Sequence, residues 1–500
     1  MRKLIILRKF FQLVFLGLFI YILWSTTYPL KGAISPQFIF KLDPLIFFFT
    51  ALSRRVLMPG FIFSSVMVLL SAIFGRFFCG WICPLGTLID AGGKILHRNQ
   101  KMLQSDKQNK KLSSVKFYFL GVIFVFAVFG FQVAWVLDPI VMLARVISLN
   151  IIPGTTWALE KTFMVLIQRF DLYGPVYDFY RDLRGSLLGV DVHFFSNSLT
   201  TFIVFLLIIL ATAFMSRLWC RMLCPLGALY GLISKFAFLE RQIVECKGCG
   251  HCRDDCRMGA IKEDEDYVKG ECILCMDCVY SCPTRATKFS WRTGSKQMAP
   301  DVVESEKGIT RSEFLFLLGG LSLFGFKQKQ LPAQRPVIRP PGALKEEVFL
   351  DACVRCGNCM KVCVTNGLQP VMLESGWQGV WTPQLVPEVG YCEYNCTLCG
   401  NVCPTGAIAR LDEEKKRRTK LGTAKIDRSI CLAWAYNKEC IVCEEHCPVA
   451  DKAIKTQTSI HEGKVIHKPY VDESKCVGCG ICQNKCPVRP KRAIRVLPAK

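Results

Sequence analysis

The spacing of its cysteines limits what this chain can fold into more than any other feature. Cys246, Cys249, Cys252 and Cys256 stand at gaps of two, two and three residues. The same grammar returns at Cys272, Cys275, Cys278 and Cys282, at Cys353, Cys356, Cys359 and Cys363, and at Cys476, Cys479, Cys482 and Cys486. Two more groups differ in the first gap alone: Cys392, Cys396, Cys399 and Cys403 have three residues there, and Cys431, Cys440, Cys443 and Cys447 have eight. Disulfide scaffolds are usually short domains with irregular spacing, and Cys-x-x-Cys neighbours would bridge under strain. A zinc ribbon separates its two Cys-x-x-Cys pairs by roughly 15–20 residues. The pattern fits the ligation of cubane iron–sulfur clusters. Three thiolates of a tight loop reach three irons of one cube, and the fourth, opening a helix, points to a neighbouring cube. Gly248, Gly357 and Gly478 permit the sharp loop. Pro283, Pro404, Pro448 and Pro487 start the helix after it. Six [4Fe-4S] clusters are therefore predicted.

The first two quartets are close enough to form a two-cluster ferredoxin. Cys246, Cys249, Cys252 and Cys282 would hold one cube, and Cys272, Cys275, Cys278 and Cys256 the other. For quartets three to six the spacing leaves two arrangements open. One pairs neighbours, and the other nests the third with the sixth and the fourth with the fifth.

Four cysteines remain of the 28, and they lie in an internal repeat. Arg76-x-x-Cys79-x-x-x-Cys83-Pro84-Leu85-Gly86-x-Leu88 recurs as Arg217-x-x-Cys220-x-x-x-Cys224-Pro225-Leu226-Gly227-x-Leu229. Leu42-Asp43-Pro44-Leu45 likewise recurs as Leu137-Asp138-Pro139-Ile140. Cys79 and Cys83 are four apart, hence on one face of a helix that continues through them, and so are Cys220 and Cys224. Together they offer four thiolates for a seventh metal centre or cluster. Redox-active thiol pairs, a transient copper site and plain packing are the alternatives.

Composition divides the chain. Residues 1–239 hold the apolar runs, and those after them are polar and cysteine-dense. Four stretches, about Phe10–Tyr28, Met58–Gly75, Phe117–Leu137 and Leu199–Ser216, contain no Asp, Glu, Lys, Arg or His and are predicted to span a bilayer, which takes ~20 apolar residues. Arg2, Lys3, Arg8 and Lys9 at the start, and the lysine-rich loop from Lys94 to Lys116, orient both segments to the cytoplasm. The predicted fold class is thus an α-helical membrane domain with an internal repeat (residues 1–239), followed by ferredoxin-like α+β iron–sulfur domains. These are a cytoplasmic two-cluster domain (240–292) and a four-cluster domain (346–500). The linker 293–345 carries an apolar segment, 309–326, that reads as a buried or interfacial helix or as a fifth crossing. The formal charge of +23 does not imply a nucleic-acid partner. Clusters of about −2 each offset much of it, and basic flanks of apolar segments account for much of the rest.

With these motifs the first 290 residues resemble the NapH/MauN membrane quinol-dehydrogenase ferredoxins, and residues from about 308 resemble their NapG/MauM four-cluster partner. The chain looks like a natural fusion of the two. The resemblance implies a multi-pass protein of the bacterial inner (cytoplasmic) membrane, with residues 346–500 in the periplasm. It implies quinol from the membrane quinone pool as substrate, and a terminal reductase or cytochrome as redox partner. Only Arg311 remains of the twin arginines that export NapG/MauM proteins, with Ser312 in place of the second. A maturation ferredoxin that reduces a partner's metal centre is the competing reading. An ion pump needs ionisable residues within its spans, and the predicted spans have none.

Overall fold

The computed structural model describes residues 2–96, 106–183, 194–291 and 336–499, apart from positions 31, 33, 59, 172 and 197. The apolar segment 309–326 and Arg311 lie outside the described residues. The chain divides into two compact units.

The first unit comprises Met1–Tyr21, Phe38–Leu143 and Thr201–Leu331. Apolar runs in it form the helices Pro44–Arg54, Phe61–Phe74, Asp106–Val128 and Leu199–Ala211, beside the start of Arg2–Trp24. These helices turn large apolar side chains outward, among them Leu13, Ile62, Leu69, Phe124, Leu199 and Leu207. The four predicted spans need correction. Among the described residues, the helices long and apolar enough to cross a membrane are Lys3–Trp24 and the continuous stretch Pro139–Phe170. Phe61–Phe74, Ser113–Val128 and Leu199–Ala211 are shorter. Gly60, in the left-handed region, starts the first of these three, and Gly75 ends it at φ 90°. Pro139–Phe170 escaped the sequence reading because Arg145, Glu160, Lys161 and Arg169 interrupt its apolar run. Of its most apolar window 72% is buried inside the protein, against 22% for Lys3–Trp24, so it also fits the description of a core helix.

Each Cys-Pro in the repeat breaks its helix. Phe77–Trp81 stops before Cys83, and Pro84–Leu96 starts after it. Leu218–Met222 and Pro225–Ile233 repeat the break. Proline at the first helical position lacks the N–H that the preceding helix would have needed. The expectation that Cys79 and Cys83 share one continuous helical face therefore fails: the second cysteine of each motif caps a new helix. Cys83 Sγ accepts from Gly86 N at 3.4 Å and Cys224 Sγ from Gly227 N at 3.2 Å. Strands β1 (Leu239–Ile243) and β2 (Thr287–Trp291) pair antiparallel, Leu239 opposite Trp291, and close the two-quartet segment at its ends.

The second unit comprises Ile22–Gln37, Ala144–Thr200 and Pro332–Lys500. Its two-stranded antiparallel sheets pair β3 (Leu368–Pro370) with β4 (Pro383–Leu385), β5 (Gly422–Ile426) with β8 (Ile494–Pro498), and β6 (Ile454–His461) with β7 (Lys464–Val471). Short helices follow the cysteine loops. One buried cluster runs through the unit, and Cys353, Cys359, Cys399, Cys431, Cys443 and Cys476 belong to it together with Phe349, Val402 and Ile494. The two loops drawn from the N-terminal half are part of this body. The Lys361 ammonium donates to the Trp24 and Thr26 carbonyls at 3.2 and 2.9 Å. Arg145 Nε donates to the Arg355 carbonyl at 2.8 Å and its guanidinium lies 4.2 Å over the Trp381 ring. The Ser196 amide donates to Gln369 Oε1 at 2.9 Å, and Asn366 Nδ2 to the Phe194 carbonyl at 2.9 Å.

Candidate metal centres

None of the 28 cysteines is joined in a disulfide. Among the described residues no three His, Cys, Asp or Glu side chains converge on a single-ion site. Thiols instead line cavities. Cys353, Cys356, Cys359 and Cys403 line one, and Cys363, Cys392, Cys396 and Cys399 line another. Each cavity takes three cysteines of one quartet and the last of its neighbour. Cys447, Cys476, Cys479 and Cys482 line a third in the same manner. Cys431, Cys440 and Cys486 are the thiols acting electrostatically on Cys443, which completes the exchange between quartets five and six. Neighbours pair, and the nested arrangement is not the one adopted.

In the first unit Cys256, Cys272, Cys275 and Cys278 line a cavity. Cys246 and Cys249 are exposed, whereas Cys252 is buried and Cys282 half-buried. A surface cube at these last four would stand at the solvent edge of the segment.

The cysteines differ in how readily they give up their protons. Burial pushes the Cys356, Cys392 and Cys443 thiols up to about 12, and Cys479 to about 11. Iron must therefore displace those protons as it binds. Cys282 goes the other way, to about 7: its burial raises it, but the Thr284 hydroxyl and the Thr287 and Ala286 amides stabilise the thiolate more. Burial brings the Lys361 ammonium down to about 7. It sits two residues from Cys359 and Cys363, where the negative charge of a cluster would favour its charged form. His251 and His446 are not aimed at sulfur: their Nδ1 atoms meet the Cys249 and Val442 carbonyls.

The two halves of the internal repeat bring Cys79, Cys83, Cys220 and Cys224 within electrostatic reach of one another. The arginine of each motif crosses to the other. Arg76 lies beside Cys79 and Cys224. A Cβ on Gly227 would stand 2.8 Å from Arg76 Nη2, so the glycine makes room for the guanidinium. Arg217 Nη1 donates to the Cys79 carbonyl at 3.1 Å, while Nε and Nη2 grip Asp90 at 2.7 and 2.8 Å. Arg76 is fully buried, with Nη1 on the Gly270 carbonyl and Glu271 at 3.0 and 3.1 Å. Its Nε and Nη2 have no oxygen acceptor. Orphaned buried donors are costly, and a thiolate-held cluster beside them would supply the missing acceptors.

The loop of the second quartet rests directly on this motif. Trp81 Nε1 donates to the Leu274 carbonyl at 3.0 Å. A Cβ on Gly80 would run into the Ile273 carbonyl oxygen. Arg8 reaches the Cys275 carbonyl and pairs with Asp277 at 3.2 Å. Asp90 and Glu271 escape the sequence reading, and Arg8 and Lys116 enter it only as basic flanks, though Lys116 also pairs with Glu271; nothing in a single sequence couples residues so far apart.

Comparison with known proteins bears on the same segments. A family described as "4Fe-4S binding domain" matches residues 56–102, 197–242 and 399–421, the first two of which hold the repeated Cys-x-x-x-Cys-Pro motifs. A second family of the same description matches residues 469–491. The methylamine utilization ferredoxin-type protein MauM of Methylorubrum extorquens is 37% identical over 185 residues, covering 36% of this chain and 81% of that protein. This chain belongs to the MauM/NapG family of ferredoxin-type proteins. The ferredoxin-type protein NapG of Escherichia coli is 34% identical over 215 residues, 41% of this chain and 87% of its own length. NapG of Haemophilus influenzae is 31% identical over 213 residues, 41% and 75%. No solved structure matches. Membership in this family and the 4Fe-4S matches make the chain an iron–sulfur electron-transfer protein with multiple [4Fe-4S] clusters.

Proposed function

We propose that the chain is a membrane-bound polyferredoxin that passes electrons from quinol to a redox partner on the far side of the membrane. The observation that carries the reading is the exchange of last cysteines between neighbouring quartets, which sets cubes side by side as a wire requires. Six quartets would hold six clusters. Cys79, Cys83, Cys220 and Cys224, packed under the second quartet, would hold a seventh centre between the membrane half and the two-cluster domain. Bound clusters supply the one-electron chemistry, and the chain spaces and tunes them.

The outward apolar side chains of Phe61–Phe74, Asp106–Val128 and Leu199–Ala211 support lipid as their surroundings, since soluble surfaces rarely expose such patches. Fourteen residues in Phe61–Phe74 cover ~21 Å at about 1.5 Å each, and adjoining residues would complete the ~30 Å core. With the basic start in the cytoplasm, 22–37 follow an outward crossing and 144–200 the next one. Both belong to the compact unit that contains 332–500, which supports a periplasmic four-cluster domain.

Iron and acid-labile sulfide on anaerobically purified protein test the reading. About 24 irons per chain are expected from six cubanes and about 28 with the seventh, with bleaching of the cluster absorbance by a soluble quinol. Iron near zero would overturn it.

A further inference from the structure

The repeated Leu-Asp-Pro motif has no part in holding a cluster, yet both of its aspartates are completely buried. Asp43 caps Pro44–Arg54, its Oδ1 accepting from Leu45 N at 2.9 Å and Ile46 N at 3.4 Å. Asp138 does the same for Pro139–Val146, its Oδ1 accepting from Ile140 N at 2.9 Å and Val141 N at 2.8 Å. Capping uses one oxygen of each, and serine or asparagine would cap as well without a charge. The two carboxyl groups lie within electrostatic reach of each other. Like charges held so near one another in a buried place disfavour double ionisation, so a pair of this kind is suited to carry one shared proton and one negative charge.

A third group points to a ligand. Tyr230, on Pro225–Ile233, is also completely buried, and its hydroxyl has no hydrogen-bond partner. It lies within electrostatic reach of Asp43 and Asp138 and also of Cys79 and Cys83. Its ring packs 5.3 Å from that of Phe78, next to Cys79. A buried hydroxyl without a partner is costly, and a bound oxygen would relieve that cost. A carboxyl pair, a buried hydroxyl and thiols suited to a cluster thus lie within electrostatic reach of one another.

We propose that Asp43 and Asp138 form the proton-accepting pair of the quinol-oxidising site, with the Tyr230 hydroxyl as the group that orients the quinol oxygen. The proposal rests on the quinol reading above. A quinol O–H gives its proton to the ionised oxygen of the pair, and its electrons leave one at a time to the iron–sulfur clusters. The pair releases that proton to water and takes the second in turn, so that quinol becomes quinone, two electrons and two protons.

The test uses the full chain purified with its clusters in detergent. Asp43→Asn, Asp138→Asn and Tyr230→Phe are compared for bleaching of cluster absorbance by menadiol and, separately, by dithionite. Each Asn variant is expected to slow the menadiol reaction at least tenfold and Y230F several-fold, with iron content and dithionite bleaching unchanged. Infrared spectroscopy gives a readout apart from turnover: a carboxylic-acid C=O band in the wild type, missing from both Asn variants and shifted by oxidised menadione in the wild type but not in Y230F. Iron-replete Asn variants that menadiol reduces at the wild-type rate would overturn the proposal, as would a wild type lacking that band. If the Asn variants fail to load iron, Y230F decides, since it removes one oxygen only: a wild-type menadiol rate and an unaltered band shift would overturn the site. A wild type that dithionite bleaches and menadiol does not would sink the quinol reading itself.

Discussion

At the scale of single residues, glycine has two distinct uses in the repeated motif. Gly227 leaves space for Arg76, and Gly80 lets the Ile273 carbonyl of the second quartet's loop approach the motif's backbone. Gly80→Ala must push that loop away, and overpacking of this kind costs about 1–3 kcal/mol. We expect a lower melting temperature for the detergent-purified variant and slower reduction of the 246–282 clusters by quinol. Gly93, in Pro84–Leu96, has nothing within 4 Å of a built Cβ. Gly93→Ala should therefore be neutral or gain up to about 1 kcal/mol of helix propensity, which makes it the control. A second residue-scale prediction concerns Asp90, which holds Arg217 in a two-armed grip and Arg257 at 3.1 Å. Asp90→Ala leaves a buried guanidinium without its charge partner and should cost about 3–5 kcal/mol, read as lost cooperativity in thermal melts.

At the scale of elements, the second unit leans on what its cysteines bind as well as on its apolar core. Its sheets have two strands each, and an isolated two-stranded ribbon is marginal in water. Thiols are spread through the buried cluster that joins them. Stripping iron with a chelator under reducing conditions should therefore remove the β5–β8 and β6–β7 signal in far-UV circular dichroism together with the cluster absorbance. Full retention of strand signal in iron-free protein would show that the sheets stand alone. This dependence also explains what was legible in the sequence. Quartet spacing is local, so a loop such as Cys353–Cys359 announces itself. Which neighbour Cys403 joins is a tertiary matter, and the spacing left it open. Apolar composition found the helical regions but not their lengths, because Gly60, Gly75 and Pro84 cut helices inside or beside the apolar runs. The Leu-Asp-Pro repeat was visible as a repeat. That Asp43 and Asp138 face one another is not written in either copy, since only packing of the two halves brings them together.

At the scale of the whole molecule, the membrane reading proposed above assigns each cluster domain a side of the bilayer, and that assignment can be tested. The chain enters the second unit three times, at 22–37, at 144–200 and at 332–500. The first two entries are segments drawn from the apolar half, the second of them largely helical, and buried polar groups fix them to residues 332–500: Lys361 on Trp24 and Thr26, Gln369 on Ser196. On the proposed reading, residues 332–500 share the side of the segments they hold. On the same reading the positive start and the lysine-rich loop up to Lys116 belong in the cytoplasm. Alkaline phosphatase fused after Lys500 should then be active in whole cells, while a green fluorescent protein at the same point, exported unfolded, should stay dark; fused after residue 292, the two reporters should swap behaviour. Fluorescence at Lys500 with silent phosphatase would put all the clusters in the cytoplasm, and the outward relay of electrons would have no route.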